Sequence, residues 1–516
     1  MSDKQTASAS ANTATNRAKL YQLVLFPMNN GATNVYYILT MNFIAYYANG
    51  VLGLALMFAT TIVTAMRLFD AVVDPIIGAL IDRTQGRFGK FRPFMILGNL
   101  IMIASALIMF FGIRVVPDDL MWLRYTCFVI FYALYMIGYT FQTACTRSGQ
   151  TCLTNDPNQR PMFTIFNTVA SLVGMGIVQF LAPILGEMLG GYNSQSFFNI
   201  MIPLAIVVSA ILTILAVVGI WEKDQPKYYG VGGSQEKVKL REYVGILKAN
   251  KELQRLIVAG AGCKLAFSIA TNMTVLCMLY GAMMGNYGGL YLPMMIIGYV
   301  FSAPFFLLTV RTSQKHGQKK SLVTYTKVAL IMYIGVLVLL LLWRQGVPGV
   351  NLSLTHINIY TIAFIIFYGI GYGAYYATAD MPIPMVADCS DYETYRSGRY
   401  IPGIMGTLFS MVDKLVSSLG STIVGAAVAV IGITTLPDST TPYAPGMEWV
   451  VVVLFCVVPM IAWIATLIAM KGYTLTGKRM KEIQEVNAKR RDAIAEGMSL
   501  EEAMEKIGRA SCRERV

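Results

Sequence analysis

The sequence predicts an all-α membrane protein of twelve transmembrane helices, and three observations lead there. Of its 516 residues 55% are hydrophobic and 13% charged, a charge share about half that of a soluble domain, and the mean hydropathy is +0.56. Apolar runs long enough to cross a hydrocarbon core of about 30 Å recur from Leu23 to Met470. The net charge of +13 gathers in short loops and tails, which is membrane-protein usage of Lys and Arg and not a nucleic-acid patch.

Spans are expected at 21–49, 55–80, 92–114, 121–145, 161–187 and 196–220, then at 254–284, 287–310, 322–343, 356–384, 403–432 and 447–470. Basic residues follow the second span (Arg83, Arg87, Lys90, Arg92), the fourth (Arg147, Arg160) and the eighth (Arg311, Lys315, Lys319, Lys320). The opposite loops 50–54, 188–195 and 285–286 hold no Lys or Arg. The positive-inside rule then puts both termini in the cytoplasm of an inner membrane. Residues 1–20 form a polar tail whose start lacks the apolar core of a signal peptide. Residues 221–253 form a basic, Gly-containing linker, and 471–516 a cytoplasmic tail with a solvated helix. The stretch 507–516 reads as adaptor-derived, with the natural C-terminus expected to be missing.

The halves repeat. After the second span comes Arg83-Thr84 with Gly89 six residues beyond the arginine, and after the eighth Arg311-Thr312 with Gly317 at the same spacing. Two pseudo-symmetric six-helix bundles, 21–220 and 254–470, are the major facilitator architecture, with solute bound near mid-membrane between them.

An ionisable group inside a span costs about 2.5–3.5 kcal/mol on insertion scales, so each needs a reason. The second span carries Arg67, Asp70 and Asp74. Residues four apart share a helical face, so the two carboxylates repel unless a cation or proton lies between them. Arg67 can neutralise one acid but not both. Pro75 loosens the backbone hydrogen bonding beside them. Lys414 falls deep in the eleventh span, while Lys264 and Asp380 either face a cavity or pair with each other. The eight cysteines form no CxxC pair and read as small packing residues. The two histidines, His316 and His356, make no metal cluster, so an enzyme is not expected. A transporter-like sensor or scaffold is the alternative class. The expected partners are a small-molecule solute, a coupling cation and lipid, with no cofactor and no nucleic acid, and the chain is expected to be a monomer.

The motifs are Arg67-x-x-Asp70-Ala71-x-x-Asp74-Pro75, Gly78, Asp82-Arg83-Thr84, Arg87-x-Gly89-Lys90-Phe91-Arg92-Pro93, Lys248-Ala249-Asn250-Lys251, Asp388-x-x-Asp391-Tyr392-x-x-Tyr395, Ser397-Gly398-Arg399 and Lys414. Together they resemble the glycoside–pentoside–hexuronide:cation symporters, the melibiose-permease group, over about residues 19–470. The resemblance implies that Asp70 and Asp74, with Thr140, bind sodium or the coupling proton. It also makes Arg67, Gly78, Asp82, Arg83, Gly89, Lys90, Arg92, Asp388 and Asp391 the conformational and loop motif.

The departures fall in the solute site. Asn34 and Thr143 stand where sugar-binding members carry acids, Arg147 where they carry an aromatic ring, and Asn167 where they carry an arginine. Tyr400-Ile401-Pro402-Gly403 replaces their Arg-Glu-Glu-Gly. The resemblance therefore implies sodium or proton symport, by alternating access, of a glycoside or modified sugar, an anionic one such as a hexuronide included. Asn34, Thr143, Arg147, Asn167 and Lys414 would contact it. A non-sugar amphipathic or anionic solute is the alternative.

Overall fold

The computed structural model describes residues 17–84, 86–154, 159–225, 245, 247–347, 349–398 and 402–513. Most of the linker, Arg399 and Tyr400, the first sixteen residues and the last three lie outside them.

Among the described residues, eleven helices are long and apolar enough to cross a membrane. They correspond to the second through twelfth expected spans. The first span is also helical, as Leu20–Leu25, Met28–Tyr46 and a π-helical turn Tyr47–Val51. Asn29, Asn30, Thr33 and Asn34 lie within two of its turns, which lowers its hydropathy.

Two spans are not continuous. The seventh runs as Lys251–Ala270 and restarts at Met273–Leu276, where the Asn272 side chain caps the new helix by accepting from the Thr274 N–H. The tenth, expected as one run ending at 384, stops after Ile359–Thr378 and restarts as Pro382–Ser397, reaching thirteen residues further. Pro382 cannot continue a helix but starts one readily. The tail helix Gly477–Ala495 departs from the solvated helix expected: Met480, Ile483, Asn487 and Arg490 are buried. It lies against Pro382–Ser397, with Asn487 donating to the Asp391 carbonyl at 2.9 Å and Arg490 to that of Tyr395 at 2.7 Å.

The chain packs as two compact units: residues up to Phe43, Phe69–Ala182 and Phe198–Gln235 in the first, and Ile44–Leu68, Pro183–Phe197 and the chain from Glu236 onward in the second. In the first unit the third and fourth spans, Arg92–Leu107 and Met121–Leu153, approach through glycine. A Cβ on Gly138 would stand 2.7 Å from the Gly98 carbonyl oxygen, so only glycine fits. The loop motif has a structural duty here. Asp224 is fully buried and accepts from the backbone N–H groups of Lys90 (2.8 Å), Phe91 (3.0 Å) and Arg92 (2.9 Å) at the start of the third-span helix. Gly89, at φ +91°, leaves room for that carboxylate, which a Cβ would strike.

In the second unit, segments far apart in sequence are clasped by hydrogen bonds. Tyr46 Oη lies 2.8 Å from Thr274 Oγ1 and donates to the Pro437 carbonyl. Asn49 donates to the Thr434 carbonyl at 3.1 Å and accepts from the Leu436 N–H at 2.9 Å. Asn193 donates to the Leu436 carbonyl at 2.8 Å and to Asp438 at 3.1 Å. Asp438, also served by Thr440 and Thr441, is buried. Thr64 donates to the Ser418 carbonyl at 2.8 Å.

Candidate cation and solute site

The second-span helix Leu56–Arg83 holds Asp70 and Asp74 one turn apart. Asp70 and Thr140 are both fully buried, and Thr140 Oγ1 lies 2.6 Å from Asp70 Oδ1 and 2.8 Å from the Met136 carbonyl. A hydroxyl with one proton and two lone pairs can donate to the acid or turn a lone pair toward an ion. Carboxylate and hydroxyl oxygens are the donors a hard monovalent cation takes. Asp74 is more open, its side chain 23% exposed, and the Arg147 guanidinium reaches it at 3.7 Å. The family resemblance implies a solute contact for Arg147; in the structure its guanidinium stands beside Asp74, an acid of the candidate ion site.

The remaining first-unit solute residues form a neutral amide ladder. Asn34 donates to Asn30 (2.7 Å to the carbonyl, 3.0 Å to Oδ1), and Asn30 donates to the Asn167 carbonyl at 3.2 Å. The Asn167 Oδ1 is buried and accepts no hydrogen bond within the protein. Thr143 Oγ1 donates back to the Thr140 carbonyl at 3.2 Å, within its own helix.

Lys414 belongs to the second unit, where it is buried on the helix Pro402–Val430. Lys264 and Asp380 do pair, at 2.9 Å, and Asp380 sits in the break of the tenth span. Sequence reasoning missed Asp413, whose carboxylate lies 3.8 Å from the same lysine and interacts electrostatically with Arg67. The insertion-cost argument that singled out Lys414 applies equally to its neighbour.

Of the loop motif, Asp82 and Arg83 end the second-span helix, and Gly78 has open space where a Cβ would stand. Gln484 of the tail helix donates to Asp391 at 3.3 Å, so this part of the motif anchors the tail. Asp388 lines a cavity of about 540 Å³ with His316, Lys319 and Lys320.

Residues 26–477 match the family model described as MFS/sugar transport protein. The chain is 24% identical to the putative glycoside/cation symporter YagG of Escherichia coli (strain K12), over 89% of this chain and 93% of that one. It is 25% identical to the inner membrane symporter YicJ of the same organism (89% and 93%) and 23% identical to its glucuronide carrier protein homolog (89% and 94%). Among solved structures, a bacterial homologue of the human lysosomal transporter Spinster superposes with a TM-score of 0.58 at 14% identity, covering 88% of this chain and 97% of the other. A bacterial homologue of the human drug peptide transporters PepT1 and PepT2 gives 0.58 at 13% identity, covering 90% and 100%. The two structures share the major facilitator fold with this chain.

Proposed function

The chain belongs to the MFS/sugar transport protein family, and from that premise we propose that it couples uptake of a glycoside-type solute to entry of sodium or protons, with Asp70, Asp74 and Thr140 holding the ion. It is a multi-pass membrane transporter and not an enzyme. The observation that carries the ion assignment is the Thr140 hydroxyl, 2.6 Å from a fully buried Asp70 with a second carboxylate one turn away. Two carboxylates one turn apart repel, so a cation or proton bound between them lowers the energy of the site.

The solute faces a different chemistry. The ladder of Asn34, Asn30 and Asn167 presents amide donors and acceptors but no charge, which suits sugar hydroxyls better than an ammonium group. The unpartnered Asn167 Oδ1 is the acceptor for one of them. A second reading, an anionic glycoside, is supported by the buried Lys414. A relative named a glucuronide carrier protein homolog points the same way. Competition of a labelled solute by neutral and anionic analogues separates the two: selective inhibition by anions favours the second, equal inhibition removes it.

The coupling claim is tested by Asp70→Asn and Asp74→Asn. Each is expected to bring gradient-driven accumulation in proteoliposomes down to simple equilibration, with insertion and folding intact. Concentrative uptake by both variants at the parent level would remove the ion site.

A further inference from the structure

The family resemblance sets Arg147 where sugar-binding members carry an aromatic ring, and the structure shows what the guanidinium reaches. It lies seven residues beyond Thr140 on the helix Met121–Leu153, close to two full turns, so both side chains leave one face. Side chains on a helix lean toward its N-terminus, so the long Arg147 chain runs back toward Thr140. Asp70 meets Thr140 and Asp74, one turn further along its own helix, meets Arg147. The pairs run in the same order along both helices, which places the guanidinium as the next group after the ion site.

The contact is close without being locked. Its 3.7 Å separation exceeds the roughly 2.7–2.9 Å of a charge-assisted hydrogen bond. The Arg147 side chain is 61% exposed against 23% for Asp74, so the cation can swing into solvent while the acid stays.

We propose that Arg147 is a tethered competitor for the coupling ion, docked on Asp74 when the site is empty and displaced when the ion binds. This rests on reading Asp70 and Asp74 as the ion site. Two carboxylates without an ion repel, and a guanidinium beside one of them relieves that repulsion. It thereby favours ion release and lowers affinity for any cation, sodium or hydronium, because the newcomer must replace a charge already in place. Arg147 acts through Asp74 and needs no contact with the solute.

The experiment uses the purified full chain in proteoliposomes on a solid-supported membrane, with concentration steps of sodium chloride and, separately, of acid at constant sodium. The half-saturating concentration of whichever ion gives a current is read. Arg147→Gln should lower it at least fivefold, and Arg147→Lys should keep it within twofold of the parent. Arg147→Cys supplies the comparison within one folded protein. A positively charged thiol reagent should restore the parent value and a neutral one of similar size should not. Half-saturation within twofold of the parent in Arg147→Gln, or equal effects of the two reagents, overturns the proposal. A parent that gives no ion-step current, or a current that survives both Asp70→Asn and Asp74→Asn, removes the ion-site reading itself and the competitor with it.

Discussion

Each unit carries a pair of carboxylates within its spans, and the two pairs keep different company. In the first unit Asp70 and Asp74 have Arg147 as a nearby cation, a long side chain largely in solvent. In the second, Lys264 stands 2.9 Å from Asp380 and 3.8 Å from Asp413, and its own side chain is only 19% exposed. The lysine lies between its acids, and Arg67 also acts on Asp413 electrostatically. The cation beside Asp74 can therefore swing into solvent, whereas the one beside Asp380 and Asp413 is largely enclosed. On the proposed reading, a removable counter-charge suits an exchangeable ion at Asp70 and Asp74, and an enclosed one suits a structural role for the second cluster.

The largest effect should separate the two pairs directly. Asp70→Asn is expected to abolish ion-driven accumulation of labelled solute, whereas Asp413→Asn should leave the same ion driving it. Loss of ion dependence in both variants would mean that the second pair couples as well, and the contrast would fall.

Stability should run the other way. Lys264→Met removes the ammonium 3.8 Å from Asp413, and is expected to cost about 1–3 kcal/mol, below the 3–5 kcal/mol of a fully buried pair because Asp380 is mostly exposed. Arg147→Met should change stability by less than about 0.5 kcal/mol, as an exposed pair does. Thermal unfolding in detergent reads both, and equal losses would remove the distinction between fixed and removable charge.

The smallest expected effect sharpens the proposed ion site. Thr140→Ala should weaken ion stimulation of uptake by about 1–2 kcal/mol, the scale of one lost polar partner. Thr143→Ala, whose hydroxyl only turns back to its own helix, should change it by less than about 0.5 kcal/mol. An ion titration of uptake with indistinguishable curves for the two variants would take Thr140 out of the site.

The spans were legible because hydropathy marks apolar runs, and Asp70 and Asp74 because charge in such a run is expensive wherever it faces. Thr140 came only from the family resemblance, since no spacing in the sequence brings it to Asp70. The Asp74–Arg147 contact was not legible, since it depends on the register of two helices whose residues lie over seventy positions apart. Asp413 escaped because Lys414 beside it drew the argument, although neighbours on a helix point about 100° apart and serve different partners. The break at 379–381 hid for another reason. A hydropathy run does not report where hydrogen bonding stops, and only Pro382 and Pro384 hinted at it. The tail helix is rich in charge, and its few buried residues (Met480, Ile483) gave too weak a stripe to announce a docking face.

The clasp of Tyr46, Asn49, Thr64 and Asn193 bears on speed. Among the described residues its partners are hydroxyls, amides and backbone carbonyls, with Asp438 the one charged group, itself enclosed by Thr440 and Thr441. Bonds of this kind contribute only about 0.5–1.5 kcal/mol net each, because water replaces them well, and dissolved salt hardly touches them, whereas exposed ion pairs weaken as ionic strength rises. If the proposed carrier alternates access by parting these segments, several such bonds must break before water can enter. The resulting barrier would be high in enthalpy and nearly blind to electrolytes, so turnover would climb steeply on warming and stay level from dilute buffer to brine.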